Sequence, residues 1–155
     1  MERKIYMTCG IPGSGKSTYI QKQIELNGGY WCSRDAVRFS MLKDSDEYFA
    51  KENEVFETWI KKINESIEKG DKDVYIDATH LNVAARKKVL FRLPRQTEIT
   101  YLYFDVPLEV CLERNSHREG RAYVPETAII NMYERLTKPS KNVIVINEKG
   151  EIVNE

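Results

Sequence analysis

The nine residues Gly10-Ile11-Pro12-Gly13-Ser14-Gly15-Lys16-Ser17-Thr18 have the spacing of a phosphate-binding P-loop, GxxxxGK[ST]. Glycines at Gly13 and Gly15 let the backbone curl so that successive N–H groups face one anion, with Ser14 between them and Thr18 completing the motif. The helix opening at Lys16 would aim its positive end at that anion. Lys16 would reach the outer phosphates of a nucleoside triphosphate such as ATP, and Ser17 would offer its hydroxyl to Mg²⁺. The chemistry implied is transfer or hydrolysis of a γ-phosphate.

Other polar residues have spacings that suit the same chemistry. Asp35 and Arg38 are three apart and share a helix face. Asp35 suits a general base toward an acceptor hydroxyl, and Arg38 suits either a phosphate clamp or an orienting partner for Asp35. A bland alternative makes Ser33 or Asp35 a helix cap and Arg38 a solvated charge. Asp77 ends an apolar run, the place of a metal-facing acid. Thr79 and Asn82 follow it and suit either substrate contact or turn and capping chemistry. Arg114, Arg118 and Arg121 flank or occupy a polar stretch with Gly120, and the segment from about 114 to 124 suits a mobile lid that neutralises phosphate charge. His80 and His117 have no spacing that points to a metal.

These residues need elements to hold them. Apolar runs predict strands over Lys4–Cys9, Tyr30–Cys32, Val74–Asp77, Glu98–Val106 and Val143–Ile146. Helices are predicted from Lys16 to about Leu26, Asp35 to Leu42, Tyr48 to Lys69, Asn82 to Leu93, Pro107 to Asn115 and Pro125 to Leu136. In the longest, Phe49, Phe56, Ile60, Ile63 and Ile67 fall near one face, with Trp59 beside them. Strands alternating with helices predict an α/β fold of the P-loop NTPase kind, with a parallel sheet of about five strands sandwiched by helices and an Arg-bearing lid. Ligands of such sheets sit beyond the carboxyl ends of the strands, so the turns after Cys9, Cys32, Asp77 and Val106 should gather the chemistry.

The chain of 155 residues is expected to be one domain, residues 1–155. Lys plus Arg and Asp plus Glu are 24 each, which excludes a global basic field and leaves only local contact with nucleic acid. Cys9, Cys32 and Cys111 have no metal-ligand spacing and read as reduced core thiols. The first residues lack the apolar stretch of a signal peptide, and no run approaches membrane-spanning length. A cytoplasmic protein without a membrane partner is the expectation.

In order along the chain, GIPGSGKST, SRDAVRFSML, IDATHLN and RNSHREGRAYVPETAI resemble the 5′-hydroxyl polynucleotide kinase family, over nearly the whole chain to about Arg135. The resemblance implies an ATP-dependent, Mg²⁺-dependent kinase acting on a 5′-hydroxyl nucleic-acid end or a nucleoside 3′-phosphate. It implies Lys16 and Ser17 at triphosphate and metal, Asp35 as general base, Arg38 near the acceptor's phosphate, and Asp77 at the acidic strand end. Arg118 would engage the reacting phosphates, with Arg114 also toward the nucleotide. Two other readings use the same residues: a kinase for a small-molecule hydroxyl, and a nucleotide-binding switch that hydrolyses slowly and transfers nothing.

Overall fold

A computed structural model describes residues 2–153. The elements run β1 (Ile5–Cys9), α1 (Lys16–Asn27), β2 (Tyr30–Ser33), α2 (Arg34–Met41), α3 (Glu52–Lys69), β3 (Val74–Asp77) and α4 (Val83–Leu90). They continue with β4 (Ile99–Phe104), α5 (Leu108–Ser116), α6 (Glu126–Arg135), β5 (Val143–Ile146) and β6 (Ile152–Val153). The sheet order is β2-β3-β1-β4-β5-β6. The first five strands are parallel, and β6 pairs antiparallel to β5. β1 therefore lies between β3 and β4, where the chain, having gone one way to β2, later crosses to the other side. Such a switch point opens a crevice at the strands' carboxyl ends.

Strand alternation sends successive side chains to opposite faces. Met7, Cys32, Val74 and Ile76 pack on one face with Val55, Trp59, Ile63 and Ile67 of α3. Tyr75, Leu102, Phe104 and Ile146 pack on the other with Ile20 of α1, Cys111 of α5 and Ile129 of α6. Trp59 is fully buried and its indole N–H donates to the Cys32 carbonyl at 2.8 Å. Truncating it to alanine would cost about 3–5 kcal/mol, the usual range for a core aromatic. All three cysteines are free and buried.

The structure departs most from the sequence expectation in two places, besides ends of α4 and β4 that stop two or three residues short. A sixth strand is present, because the turn at Asn147–Gly150 folds the chain back on β5; the Asn147 side chain accepts from the backbone N–H groups of Lys149 and Glu151 at 2.9 and 3.0 Å. The long helix begins at Glu52 rather than near Tyr48. Residues 48–50 form a turn, and Phe49, counted with the apolar stripe, is 67% exposed. No helix among the described residues is long and apolar enough to cross a membrane.

Candidate active site

The P-loop joins β1 to α1. Gly15 (φ +93°) and Gly13 (φ +85°) take left-handed conformations that only glycine adopts cheaply. At Gly13 the packing is also decisive, since a Cβ there would lie 2.6 Å from the Cys111 carbonyl oxygen of α5. The loop is braced from β3 as well: Gly10 N–H donates to the Thr79 carbonyl at 3.0 Å.

Lys16 folds over the loop and donates to the carbonyls of Gly10 and Ile11 at 2.9 and 3.0 Å. Burial pushes its pKa down; the charges of Asp77 and Asp35 oppose that shift, and Arg118 adds to it. Asp77 is 6% exposed. Its carboxylate accepts from Trp31 Nε1 at 2.9 Å and Thr8 Oγ1 at 3.3 Å. Burial raises the Asp77 pKa, with the Lys16 charge opposing. Lys16, Asp77 and Asp35 thus lie within electrostatic reach of one another beyond the ends of β1, β2 and β3.

Asp77 and the exposed Ser17 offer a carboxylate and a hydroxyl, oxygen donors of the kind a hard cation takes. Among the described residues no group of three or more His, Cys, Asp or Glu gathers to hold a metal. One carboxylate and one hydroxyl fit an ion such as Mg²⁺, which takes most of its ligands from phosphates and water. The buried Asp77 carboxyl, within electrostatic reach of Lys16 at the strand end, is the observation behind that fit.

Asp35 stands at the rim of α2, its side chain 60% exposed. Ser33 caps this helix by accepting from Ala36 N–H at 3.1 Å, so Asp35 is free of that duty. Arg38, 4% exposed, is pinned beneath it. Its Nη1 donates to Asp35 Oδ1 and to the Tyr48 hydroxyl, and its Nη2 donates to both oxygens of Glu52 at 2.6 and 2.9 Å. Of the two roles open to Arg38 in the sequence, its contacts are those of an orienting partner. Tyr48 and Glu52 complete the cluster and escaped the sequence reading. Both lie in the stretch read as a continuous helix, where neither shows a spacing relative to Asp35.

Asn82 caps α4 by accepting from Ala85 N–H at 3.0 Å, which takes up the side-chain oxygen. Thr79 contributes its carbonyl to the P-loop. His80, to which the sequence gave no role, is buried with φ +41°. Its Nδ1 lies 2.6 Å from the Thr8 carbonyl, which can only accept, so the proton is on Nδ1 and Nε2 is a bare buried acceptor. Burial pushes its pKa down to about 4, aided by the charges of Arg34 and Arg86.

On the opposite flank of the P-loop, a cleft of about 480 Å³ is walled by Gly13–Gly15, Thr18, Tyr19 and Lys22, by Arg114 and Arg118, and by the turn at 148–150. Arg114 ties this wall together, donating to the Gly13 carbonyl at 3.1 Å and to the Glu148 carbonyl. Arg118 is exposed on the lid. The lid's two ends are clamped by the fully buried Asn115, which donates to the Val124 carbonyl at 2.7 Å and accepts its N–H at 3.0 Å. At the lid's tip Arg121 donates to the Lys43 carbonyl, just beyond the end of α2.

A family described as an AAA domain matches residues 5–139. The chain belongs to this family. In fold and motif it is a P-loop kinase domain. It is 27% identical over 144 residues to an L-seryl-tRNA(Sec) kinase of Methanococcus maripaludis, covering 87% of this chain and 53% of that protein. The chain thus spans about half the length of this curated relative. Among solved structures it is similar to a chain of the Pnkp1/Rnl/Hen1 RNA repair complex, with TM-score 0.73, 22% identity, and coverage of 87% of this chain and 44% of that one. It is also similar to a sugar kinase from Janibacter sp. HTCC2649, with TM-score 0.64, 20% identity, and coverage of 96% and 87%. These structural likenesses establish the fold.

Proposed function

We propose that this P-loop kinase domain transfers the γ-phosphate of ATP to the 5′-hydroxyl of a polynucleotide end or a nucleoside 3′-phosphate, with Asp35 as general base. The observation that carries the reading is the exposed Asp35 carboxylate, held by a buried Arg38 and flanked by exposed aromatics. Tyr48 is 39% and Phe49 67% exposed, and their rings meet edge to face at 4.7 Å. Exposed rings beside a catalytic base suit the π-face of a nucleobase, whose stacking contributes about 1–3 kcal/mol. The names of the tRNA kinase and the RNA repair complex agree with a nucleic-acid acceptor.

In this reading the acceptor hydroxyl gives its proton to Asp35 while its oxygen attacks the γ-phosphorus; the bond to the β-phosphate oxygen breaks and ADP leaves. Lys16 and the P-loop N–H groups hold the triphosphate, Arg114 shapes the donor cleft, and Arg118 neutralises charge spreading onto the transferred group. Mg²⁺ held by Ser17 and Asp77 would supply further charge neutralisation.

The test is label transfer from γ-labelled ATP to 5′-hydroxyl DNA and RNA oligomers, nucleoside 3′-phosphates and sugars. Transfer to the nucleotide acceptors is expected, falling about a hundredfold or more in Asp35→Asn while ATP binding persists. Transfer to sugars alone, or ATP hydrolysis with no acceptor used, overturns the reading.

A further inference from the structure

A second cleft, of about 310 Å³, opens between α3 and α4 and shares Glu52 with the Asp35 cluster. Three cations converge there on one ring. Arg34, Lys88 and Arg92 lie 5.4, 5.2 and 5.8 Å from the centroid of Phe56. Like charges so gathered repel unless something anionic compensates them.

Two carboxylates, Glu52 and Glu57, line the same cleft and offset part of this charge, leaving three cations against two anions. Glu57 is engaged by Arg92 through two bonds of 2.8 and 2.6 Å. Glu52 is gripped by Arg38 and reaches Arg34 only at 3.6 Å. Lys88 has no carboxylate within ion-pair distance among the described residues, and Arg34 Nε is buried without a partner. Burial pushes Arg34 down, Glu52 opposes, and Arg38 adds its repulsion. Phe56 is only 8% exposed, so the cleft offers cations rather than a stacking face.

We infer that this cleft is a second anion subsite, which takes a backbone phosphate of the acceptor strand beyond the nucleotide whose hydroxyl faces Asp35. It rests on the polynucleotide reading of the Asp35 site. Arg34 adjoins Asp35 in the chain and Glu52 belongs to both clusters, so the path from base to cleft is continuous. A mononucleotide would not fill the cleft; a short strand would.

The variant is Lys88→Glu, since Lys88 is exposed and its ammonium lies over the Phe56 ring; Lys87→Glu, exposed one position away and outside the cleft, controls for net charge. With a 5′-hydroxyl trinucleotide, Lys88→Glu is expected to raise KM about tenfold, leaving kcat, KM for ATP and KM for a nucleoside 3′-phosphate within about twofold. Lys87→Glu should do none of this. An equal rise for both acceptors, or no rise beyond the control, overturns the subsite. If no nucleotide acceptor is phosphorylated at all, the polynucleotide reading fails by itself, and the cleft is then read by NMR titration with inorganic tripolyphosphate, the P-loop being saturated with a non-hydrolysable ATP analogue. Shifts at Arg34 and Arg92 side chains that vanish in Lys88→Glu keep an anion subsite; their absence removes it.

Discussion

The Tyr48 hydroxyl donates to Asp35 Oδ1 across 2.6 Å while its oxygen accepts from Arg38 Nη1 at 2.7 Å. A phenol has one proton, so this pair of bonds fixes its direction. Asp35 is thereby oriented by two neighbours, one charged and one neutral, and only one of its oxygens is taken up.

Tyr48→Phe removes the neutral partner and keeps the ring. Turnover should fall about tenfold as the carboxylate gains rotational freedom, with KM for ATP unchanged. Steady-state kinetics with both substrates varied would check this. A changed ATP affinity with intact turnover would place Tyr48 on the donor side instead.

Gly13→Ala tests the close approach of the P-loop to α5. The left-handed backbone alone costs about 1–2 kcal/mol. The new methyl would also press on the Cys111 carbonyl, 2.6 Å away in the unrelaxed structure. Denaturant unfolding should show a loss of at least about 2 kcal/mol, together with weakened triphosphate binding.

Arg118→Lys keeps the charge and loses the planar, two-pronged grip. Turnover is expected to drop at least about tenfold, with KM for ATP changing by no more than a few-fold, because an arginine aimed at the transferring group matters most in the transition state. A loss confined to ATP binding would give Arg118 a ground-state role.

His80 makes stability depend on pH. Its folded pKa, about 4, lies below the ordinary histidine value of 6.5, so the unfolded chain binds more protons between the two. The contribution is fully present above pH 6.5 and is lost as pH falls toward 4, about 3 kcal/mol in all. His80→Asn tolerates positive φ and retains an N–H donor for the Thr8 carbonyl. Unfolding free energies measured from pH 7 to pH 4.5 should fall less steeply in this variant than in the wild type. Parallel slopes would mean that His80 is not buried neutral.

The positions along the chain of the five main strands and of the P-loop were legible because each rests on local chemistry: apolar runs, glycines at fixed offsets, a lysine at a helix start. The cluster around Asp35 was only half legible. Asp35 and Arg38 show their relationship through helical spacing, but Tyr48 and Glu52 reach them across a turn that hides inside an apolar-looking stretch. Phe49 misled for the same reason, since an aromatic residue reads as core whether it packs inward or faces solvent. Strand β6 left no signal, because its two residues, Ile152 and Val153, are exposed and follow a polar turn. Thr8 carried a signal that can be recognised afterwards: a polar residue within an apolar strand, buried only because the backbone at Ala78 and the Asp77 carboxylate satisfy it.

The lid touches both halves of the crevice. Arg118 faces the cleft beside the P-loop, and a few residues on Arg121 holds the Lys43 carbonyl and lies 5.9 Å from the Phe39 ring. On the proposed function this segment stands between the nucleotide and the acceptor, where coupling between the two would be carried. Whatever factor the nucleotide contributes to holding the acceptor, the acceptor must contribute the same factor to holding the nucleotide. Arg121 is the residue whose substitution would test that shared factor, because its contacts lie on the α2 side and it stands against neither reacting atom.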